Sequence, residues 1–182
     1  MPHGSVRRVS SEPVIRAATG ADAPAVDSLL RACFPRDAEA RLVQQLAIDG
    51  DLVLVLVAED AGAVVGMIAA SRMQVTADTR EIAAVALAPL AVAREVRGQG
   101  VGEALLAAAI AHLRGARAEL AFVLGDPGYY GRFGFEAATA RGFDSPYAGE
   151  HFLGIRLNDG PCVHTPGAAS HARAFAALGE DA

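Results

Sequence analysis

Apolar residues recur at helical spacing in two segments near the start of the sequence. After a short apolar run at Val14 to Ala17, the spacing predicts a helix that ends near Cys33, with Thr19 and Asp22 forming a capping box at its start. Phe34-Pro35 interrupts this pattern, and helical spacing resumes from Asp37 to Ile48. The opening of the chain is therefore predicted to be a strand followed by two helices.

The next pattern is one of apolar, β-branched runs. Leu52 to Ala58 and Ala63 to Ala70 are separated by a short turn containing Gly62, which predicts an antiparallel hairpin. A third run extends from Ile82 to Val92 and contains Pro89. Because proline cannot donate a hydrogen bond to a neighbouring strand, Pro89 is expected at a sheet edge or a β-bulge.

Helical and strand patterns alternate in the second half. Gly102 to Leu113 is an alanine-rich amphipathic segment that predicts a helix, and Glu119 to Leu124 predicts a strand. Asp126 followed by Pro127 suits the start of a short helix, which Gly134 would end before a further strand begins at Gly134-Phe135.

The last predicted strand is His151 to Leu157, and the tail from Asn158 to Ala182 shows only a weakly helical patch at His171 to Leu178. Helices thus alternate with strands, some in hairpins and at least one in a strand-helix-strand crossover. This order predicts an α/β or α+β sandwich built on a mixed sheet.

Composition narrows the class of protein. The 182 residues suit one domain, which we assign to residues 13–182, with residues 1–12 as a flexible leader. Hydrophobic residues make up 52% of the chain, but no apolar run is long enough to span a membrane, so we expect a soluble protein without a membrane partner. The net charge of −5 and the scattered basic residues argue against a nucleic-acid partner.

Cysteine and histidine usage points to a cytoplasmic protein without a metal centre. Cys33 and Cys162 lie far apart with no partner spacing, which suits a reducing compartment, although one bridge between them stays open. Cys33 falls on the apolar face of a predicted helix, where a small core residue is expected, and we assign neither cysteine a catalytic role. The five histidines are scattered singly, so no metal site is predicted.

The candidate chemistry begins at a glycine loop between a predicted strand and a predicted helix. Its sequence is Arg97-Gly98-Gln99-Gly100-Val101-Gly102. Backbone N–H groups can converge there on an anion, at the helix end where the dipole favours negative charge, so a phosphate site is expected. The spacing fits neither a dinucleotide fingerprint nor a Walker loop. The alternative is that these glycines only form a tight turn.

Two blocks together resemble a known family. The Arg-x-x-Gly-x-Gly loop follows Leu87 to Val92, and a second block, Leu124 to Phe135, contains Tyr129 and Tyr130. Their order and spacing resemble the GNAT superfamily of N-acetyltransferases, and within it the YhbS-like bacterial branch. The resemblance is strongest from Ile82 to Phe135 and covers roughly three-quarters of the chain, from Val14 onward.

The resemblance implies a fold and a donor. The fold would be a central, mostly antiparallel mixed sheet flanked by helices and splayed between the strand before the glycine loop and the next strand. Acetyl-CoA would be the acyl donor, with its pantetheine arm in the gap beside the backbone of Leu90, Ala91 and Val92. The Leu90 N–H would polarise the thioester carbonyl, Arg97 could reach a phosphate oxygen, and no metal is required.

The resemblance also implies catalytic roles and partners. Tyr130, four residues before Gly134, would be the general acid that protonates the departing CoA thiolate. Glu81 is the nearest candidate for a base by position, although a solvated charge at a strand end explains it equally well. The acceptor would be an amine of small-molecule or peptide type, and a homodimer is compatible with the family.

Two alternatives to an enzyme stay open at this point. A binding module could keep the CoA pocket and sense acyl-CoA without transferring the acyl group. A plain structural domain with a fortuitous glycine turn would bind no CoA at all.

Overall fold

The computed structural model describes residues 12–158 and 167–180. The leader assigned to residues 1–12 lies outside the described residues except for its last position, and so does Cys162. The strands are β1 Val14–Ala17, β2 Leu52–Asp60, β3 Ala63–Ala77, β4 Arg80–Val92, β5 Leu120–Leu124, β6 Phe143–Asp144, β7 Phe152–Arg156 and β8 Gly167–His171. The helices are α1 Ala23–Cys33, α2 Ala38–Asp49, α3 Val101–Gly115, α4 Pro127–Tyr130, α5 Ala137–Ala140 and α6 Ala176–Glu180.

One mixed sheet organises the chain. Its main path runs β1-β2-β3-β4-β5-β7, in which only the β4–β5 pair is parallel. The long strand β3 pairs with β2 through its first half and with β8 through Met73–Thr76. This arrangement confirms the predicted fold class: helices α1 and α2 cover one face, and α3 covers the other.

Both faces of the sheet are apolar, which explains why the strand sequences are almost continuously hydrophobic. On one face Leu105, Leu106 and Leu113 of α3 are fully buried against β3 and β4. On the other face Leu30 of α1 and Leu46 of α2 are equally buried. The central strands are therefore packed against helices on both sides.

Two local predictions in the second half are wrong. No strand begins at Gly134-Phe135: Glu136 forms a single antiparallel bridge with Gly154, and α5 follows at once. The alanine-rich sequence Ala137–Ala140 favours a helical turn over an extended strand. The tail also contains a strand that its composition did not predict, β8, in addition to the helical segment that was expected near His171 to Leu178.

Candidate active site

The glycine loop joins β4 to α3 as predicted. A short 3-10 turn at Arg94–Val96 follows β4, and α3 then begins at Val101. Gly98 and Gly100 have φ angles of 74° and 81°, a left-handed conformation that glycine adopts without steric cost. The first helical ladder bond is donated by the Ala104 N–H to the Gly100 carbonyl. The N–H groups of the first turn of α3 therefore have no acceptor within the helix and point at the loop.

A cavity of about 470 Å³ opens in front of this turn, and we call it the loop cavity. Its lining comprises Cys33, Phe34, Leu90, Ala91, Val92, Val96, Arg97, Gly98, Gly100, Val101, Gly102, Glu103 and Tyr129. The structure thus brings together eight of the nine residues that were expected to bind the cofactor. The exception is Gln99, whose side-chain amide donates to the Glu95 carbonyl instead.

The loop cavity is lined by one arginine and by one glutamate that is paired with a second arginine. The exposed Arg97 guanidinium lies at its wall, where Nε donates to the Val92 carbonyl at 3.0 Å. Glu103, the one carboxylate in the lining, forms an ion pair with Arg132 at 2.9 Å. An anion at the first turn of α3 would therefore meet a helix N-terminus and an arginine without an unpaired carboxylate beside them.

Strand β4 carries a β-bulge at Pro89. Leu90 pairs with Ile68 and Leu87 pairs with Ala70, so three steps along β4 match two along β3. This extra residue reverses which backbone groups face β3. Proline was expected at an edge or a bulge, and the bulge is confirmed.

The bulge has a direct consequence for the backbone of the next residues. Ala93 donates its N–H to β3 at Val65, whereas the Val92 carbonyl faces the loop cavity and accepts from Arg97 and from Cys33 Sγ. Because backbone groups alternate along a strand, the N–H and C=O of Leu90 face the same side as those of Val92. The groups of Ala91 face β3.

The sheet opens beyond this point. The β4–β5 ladder covers only Ala84–Ala86 on β4 and Leu120–Phe122 on β5, and both strands continue without pairing to each other. A second cavity of about 510 Å³ occupies the space between them, and we call it the gap cavity. Its lining comprises Phe34, Glu39, Leu42, Ala86, Leu87, Ala88, Pro89, Leu90, Phe122, Val123, Leu124, Tyr130, Tyr147, His171, Phe175 and Leu178. Phe34 and Leu90 line both cavities, which therefore adjoin.

Tyr130 lines the gap cavity and Tyr129 lines the loop cavity, because consecutive residues of a helix point in different directions. The Asp126 carboxylate caps α4 by accepting from the Tyr129 N–H at 2.9 Å. The Tyr130 ring packs edge-on against Phe135 and directly over Gly125, where any Cβ would overlap the ring. Burial raises the pKa of Tyr130, with a smaller contribution from Tyr129, so its hydroxyl stays protonated through the neutral range.

Several residues of the gap cavity were not anticipated from the sequence: Glu39, Tyr147, His171 and Phe175. They come from α2, from the segment before β7, and from the tail. His171 could not be found because β8 lies in a segment whose alanines, glycines and prolines do not indicate a strand. By contrast, the weak base candidate Glu81 lies at the exposed start of β4 and lines neither cavity.

Three further cavities in the described part of the chain are lined by neither a residue of the glycine loop nor a tyrosine. A larger groove of about 970 Å³ lies between α2 and the C-terminal helix, but neither the glycine loop nor a tyrosine reaches it. Within residues 12–158 and 167–180 no cluster of three histidine, cysteine, aspartate or glutamate side chains could hold a metal ion. No helix in the same residues is long and apolar enough to cross a membrane.

A split sheet with a glycine loop after one strand of the gap and a tyrosine after the other is the arrangement expected of an acyl-CoA-dependent transferase, and comparisons identify the family. Residues 14–138 match the model of the Acetyltransferase (GNAT) domain. The Escherichia coli protein named uncharacterized N-acetyltransferase YhbS is 43% identical over 127 residues, which cover 69% of this chain and 75% of that protein.

Two crystal structures resemble the whole fold. Escherichia coli YhbS in complex with CoA has a TM-score of 0.81 at 35% identity, over 91% of this chain and 92% of that one. A GNAT family acetyltransferase from Brucella melitensis in complex with acetyl-CoA has a TM-score of 0.73 at 30% identity, over 90% and 97%. The chain belongs to the GNAT acetyltransferase family. This confirms the predicted family and the predicted enzyme class, an acetyl-CoA-dependent N-acetyltransferase.

Proposed function

We propose that the chain transfers the acetyl group of acetyl-CoA to an amine at the junction of the loop cavity and the gap cavity. The observation that carries this proposal is that Leu90 lines both cavities at the point where β4 and β5 separate. The two crystallised relatives described above contain CoA and acetyl-CoA, respectively, which supports the same donor here. The loop cavity would hold the donor, and the gap cavity would hold the acceptor.

The donor would bind mainly through backbone groups. Its pyrophosphate would lie against the N–H groups of Val101 and Gly102 with Arg97 beside it, and its pantetheine arm would follow Leu90 and Val92. Because the backbone of Ala91 faces β3, we assign Ala91 to the cavity wall rather than to hydrogen bonding. The Leu90 N–H would then donate to the thioester carbonyl oxygen and stabilise the negative charge that develops there.

Tyr130 would act as the general acid. The amine nitrogen, in its unprotonated form, attacks the thioester carbonyl carbon, a C–N bond forms, and the C–S bond breaks with its electron pair going to sulfur. Tyr130 gives its hydroxyl proton to the thiolate, and the proton lost from the nitrogen restores the neutral tyrosine. The net products are an N-acetyl amine and free CoA. Glu81 takes no part in this scheme because it lies outside both cavities.

The proposal is tested by thiol release. Purified protein is incubated with acetyl-CoA and a panel of primary amines, free CoA thiol is measured, and the acetylated product is identified by mass spectrometry. We expect release that depends on the amine. Tight CoA binding without amine-dependent release would instead indicate a sensing module, and no CoA binding would indicate a structural domain.

Location and assembly are also proposals. We infer a cytoplasmic enzyme, since Cys33 serves as a thiol that donates to the Val92 carbonyl and reduced thiols persist in that compartment. We propose that two copies pair through strand β1, at one end of the main path, because at the other end the outer backbone groups of Gly154 on β7 already bond to Glu136. Cell fractionation tests the location, and light scattering on the eluting protein tests the dimer: a membrane-bound or monomeric protein would contradict the respective proposal.

A further inference from the structure

The gap cavity has an aromatic floor. His171 lies at its centre, with ring centroids 4.7 Å from Tyr147 and 4.8 Å from Phe175. Phe34, Phe122 and Tyr130 also contribute rings to the lining, and we call these six residues the aromatic floor. Aromatic rings provide large apolar contact areas and favour other rings in edge-on or offset packing, so this floor suits a ligand with an apolar body.

The floor is uncharged at neutral pH. Burial lowers the pKa of His171 from 6.5 to about 4, so the imidazole is neutral. Its Nδ1 is buried and has no hydrogen-bond partner within the described parts of the chain. Burial raises the pKa of Tyr130, which is therefore also neutral. A cation entering the cavity meets no positive side chain in its lining.

Glu39 contributes the negative charge of the lining. Glu39 is half-buried, and its carboxylate makes no ion pair or hydrogen bond among the described residues, unlike nearby Asp37 and Arg41, which pair with each other. A sphere of the cavity's volume is about 10 Å across, little more than the Debye length of about 8 Å at physiological salt, so salt screens the carboxylate only in part within the cavity. An ammonium group would be attracted, and a phosphate or carboxylate group would be repelled.

We propose that the acceptor is a compact primary amine with an apolar, preferentially aromatic body, drawn in by Glu39 and seated against Tyr147, His171 and Phe175. This inference rests on the proposed function, because it takes the gap cavity as the acceptor site. It separates this amine class from linear polycations, whose second ammonium group would find no second carboxylate in the lining, and from anionic acceptors.

Direct binding tests the inference without requiring turnover. Phenethylamine, its neutral counterpart phenethyl alcohol and the diamine putrescine are titrated calorimetrically into CoA-saturated protein. Phenethylamine is expected to bind at least roughly fivefold more tightly than either of the others, because each lacks one of the two matched features. The rank order of kcat/KM in thiol release should be the same.

Variants separate charge from shape. Glu39→Gln should weaken the binding of phenethylamine roughly fivefold and leave the binding of phenethyl alcohol unchanged. The matched control Glu136→Gln, at an exposed carboxylate outside both cavities, should change neither. Tyr147→Leu should weaken the binding of phenethylamine more than the binding of butylamine, since the substitution removes an aromatic ring and keeps an apolar side chain.

The outcomes distinguish this inference from the proposed function. Phenethylamine that binds in a Glu39-dependent way but releases no thiol would refute the transfer reaction and leave the recognition intact. Equal or better use of putrescine or of a lysine-containing peptide would overturn the inference while the acetyltransferase stands. No effect of Glu39→Gln, or no binding of phenethylamine at millimolar concentration, would also overturn it.

Discussion

Replacing Tyr130 by phenylalanine removes one oxygen atom from the gap cavity and keeps the ring. The ring packs against Phe135 and over Gly125, contacts that phenylalanine retains. The hydroxyl makes no hydrogen bond within residues 12–158 and 167–180, so its loss should leave folding unaffected. The variant therefore isolates the proton that we assign to the departing thiolate.

The expected loss lies at the lower end of what general acids contribute. Such groups typically accelerate a step by about 10²–10⁴-fold. Burial raises the pKa of Tyr130 above its ordinary value of 10.0, whereas a cysteine-like thiol has a pKa of about 8.5, so the proton moves uphill from tyrosine to thiolate. We therefore expect kcat to fall roughly 10²-fold, about 2.7 kcal/mol of barrier, with KM for acetyl-CoA little changed.

The assay is thiol release at saturating donor and acceptor from pH 6.5 to 9.5. Because the pKa of Tyr130 is raised, the wild type should not lose activity through tyrosine ionisation across that range. Tyr129→Phe is the comparison variant, since its hydroxyl lies at the start of α3 beside Gly102 and should affect the donor's KM rather than kcat. If Tyr130→Phe turned over like the wild type at every pH, the general-acid assignment would be wrong although the family would stand.

Three further predictions test the architecture around the site. Gly125→Ala should displace the Tyr130 ring, because a Cβ at this position overlaps it, and lower kcat while CoA affinity measured by calorimetry is kept; an unchanged kcat would contradict that packing. Gly100→Ala places a side chain in open space but at φ 81°, and this left-handed conformation costs about 1–2 kcal/mol, so the variant should bind CoA roughly tenfold more weakly. Gly115→Ala, at the other end of α3, should bind CoA normally. Stability should fall as pH drops from 6.5 towards about 4, because the unfolded chain protonates His171 before the folded one does; melting temperatures should show a shallower fall in His171→Leu, and identical slopes would refute the shift.

The parts of the site that were predictable are those encoded locally. The glycine loop, its position between β4 and α3, and the bulge at Pro89 each follow from one or two residue types with narrow backbone requirements. The Asp126 cap and the short helix that carries Tyr130 follow from the same kind of signal. Local sequence therefore predicted the conformation of the glycine loop, of the strand before it and of the short helix that carries Tyr130.

The gap cavity, our proposed acceptor site, depends on contacts between distant segments. Glu39 reaches the gap cavity because α2 packs across the sheet, and His171 reaches it because β8 pairs with the far half of β3. No periodic pattern marks β8, whose strand conformation comes from pairing with β3 and not from its own residues. The strand expected from Gly134-Phe135 does not form for a related reason. The single bridge between Glu136 and Gly154 does not outweigh the helix propensity of Ala137–Ala140.

The most direct test of the account is a crystal structure of this protein with acetyl-CoA. We expect the pyrophosphate on the first turn of α3, the thioester carbonyl about 3 Å from the Leu90 nitrogen, and the sulfur within hydrogen-bond reach of the Tyr130 hydroxyl. A donor whose thioester lay outside the gap between β4 and β5, or whose sulfur faced away from Tyr130, would contradict it.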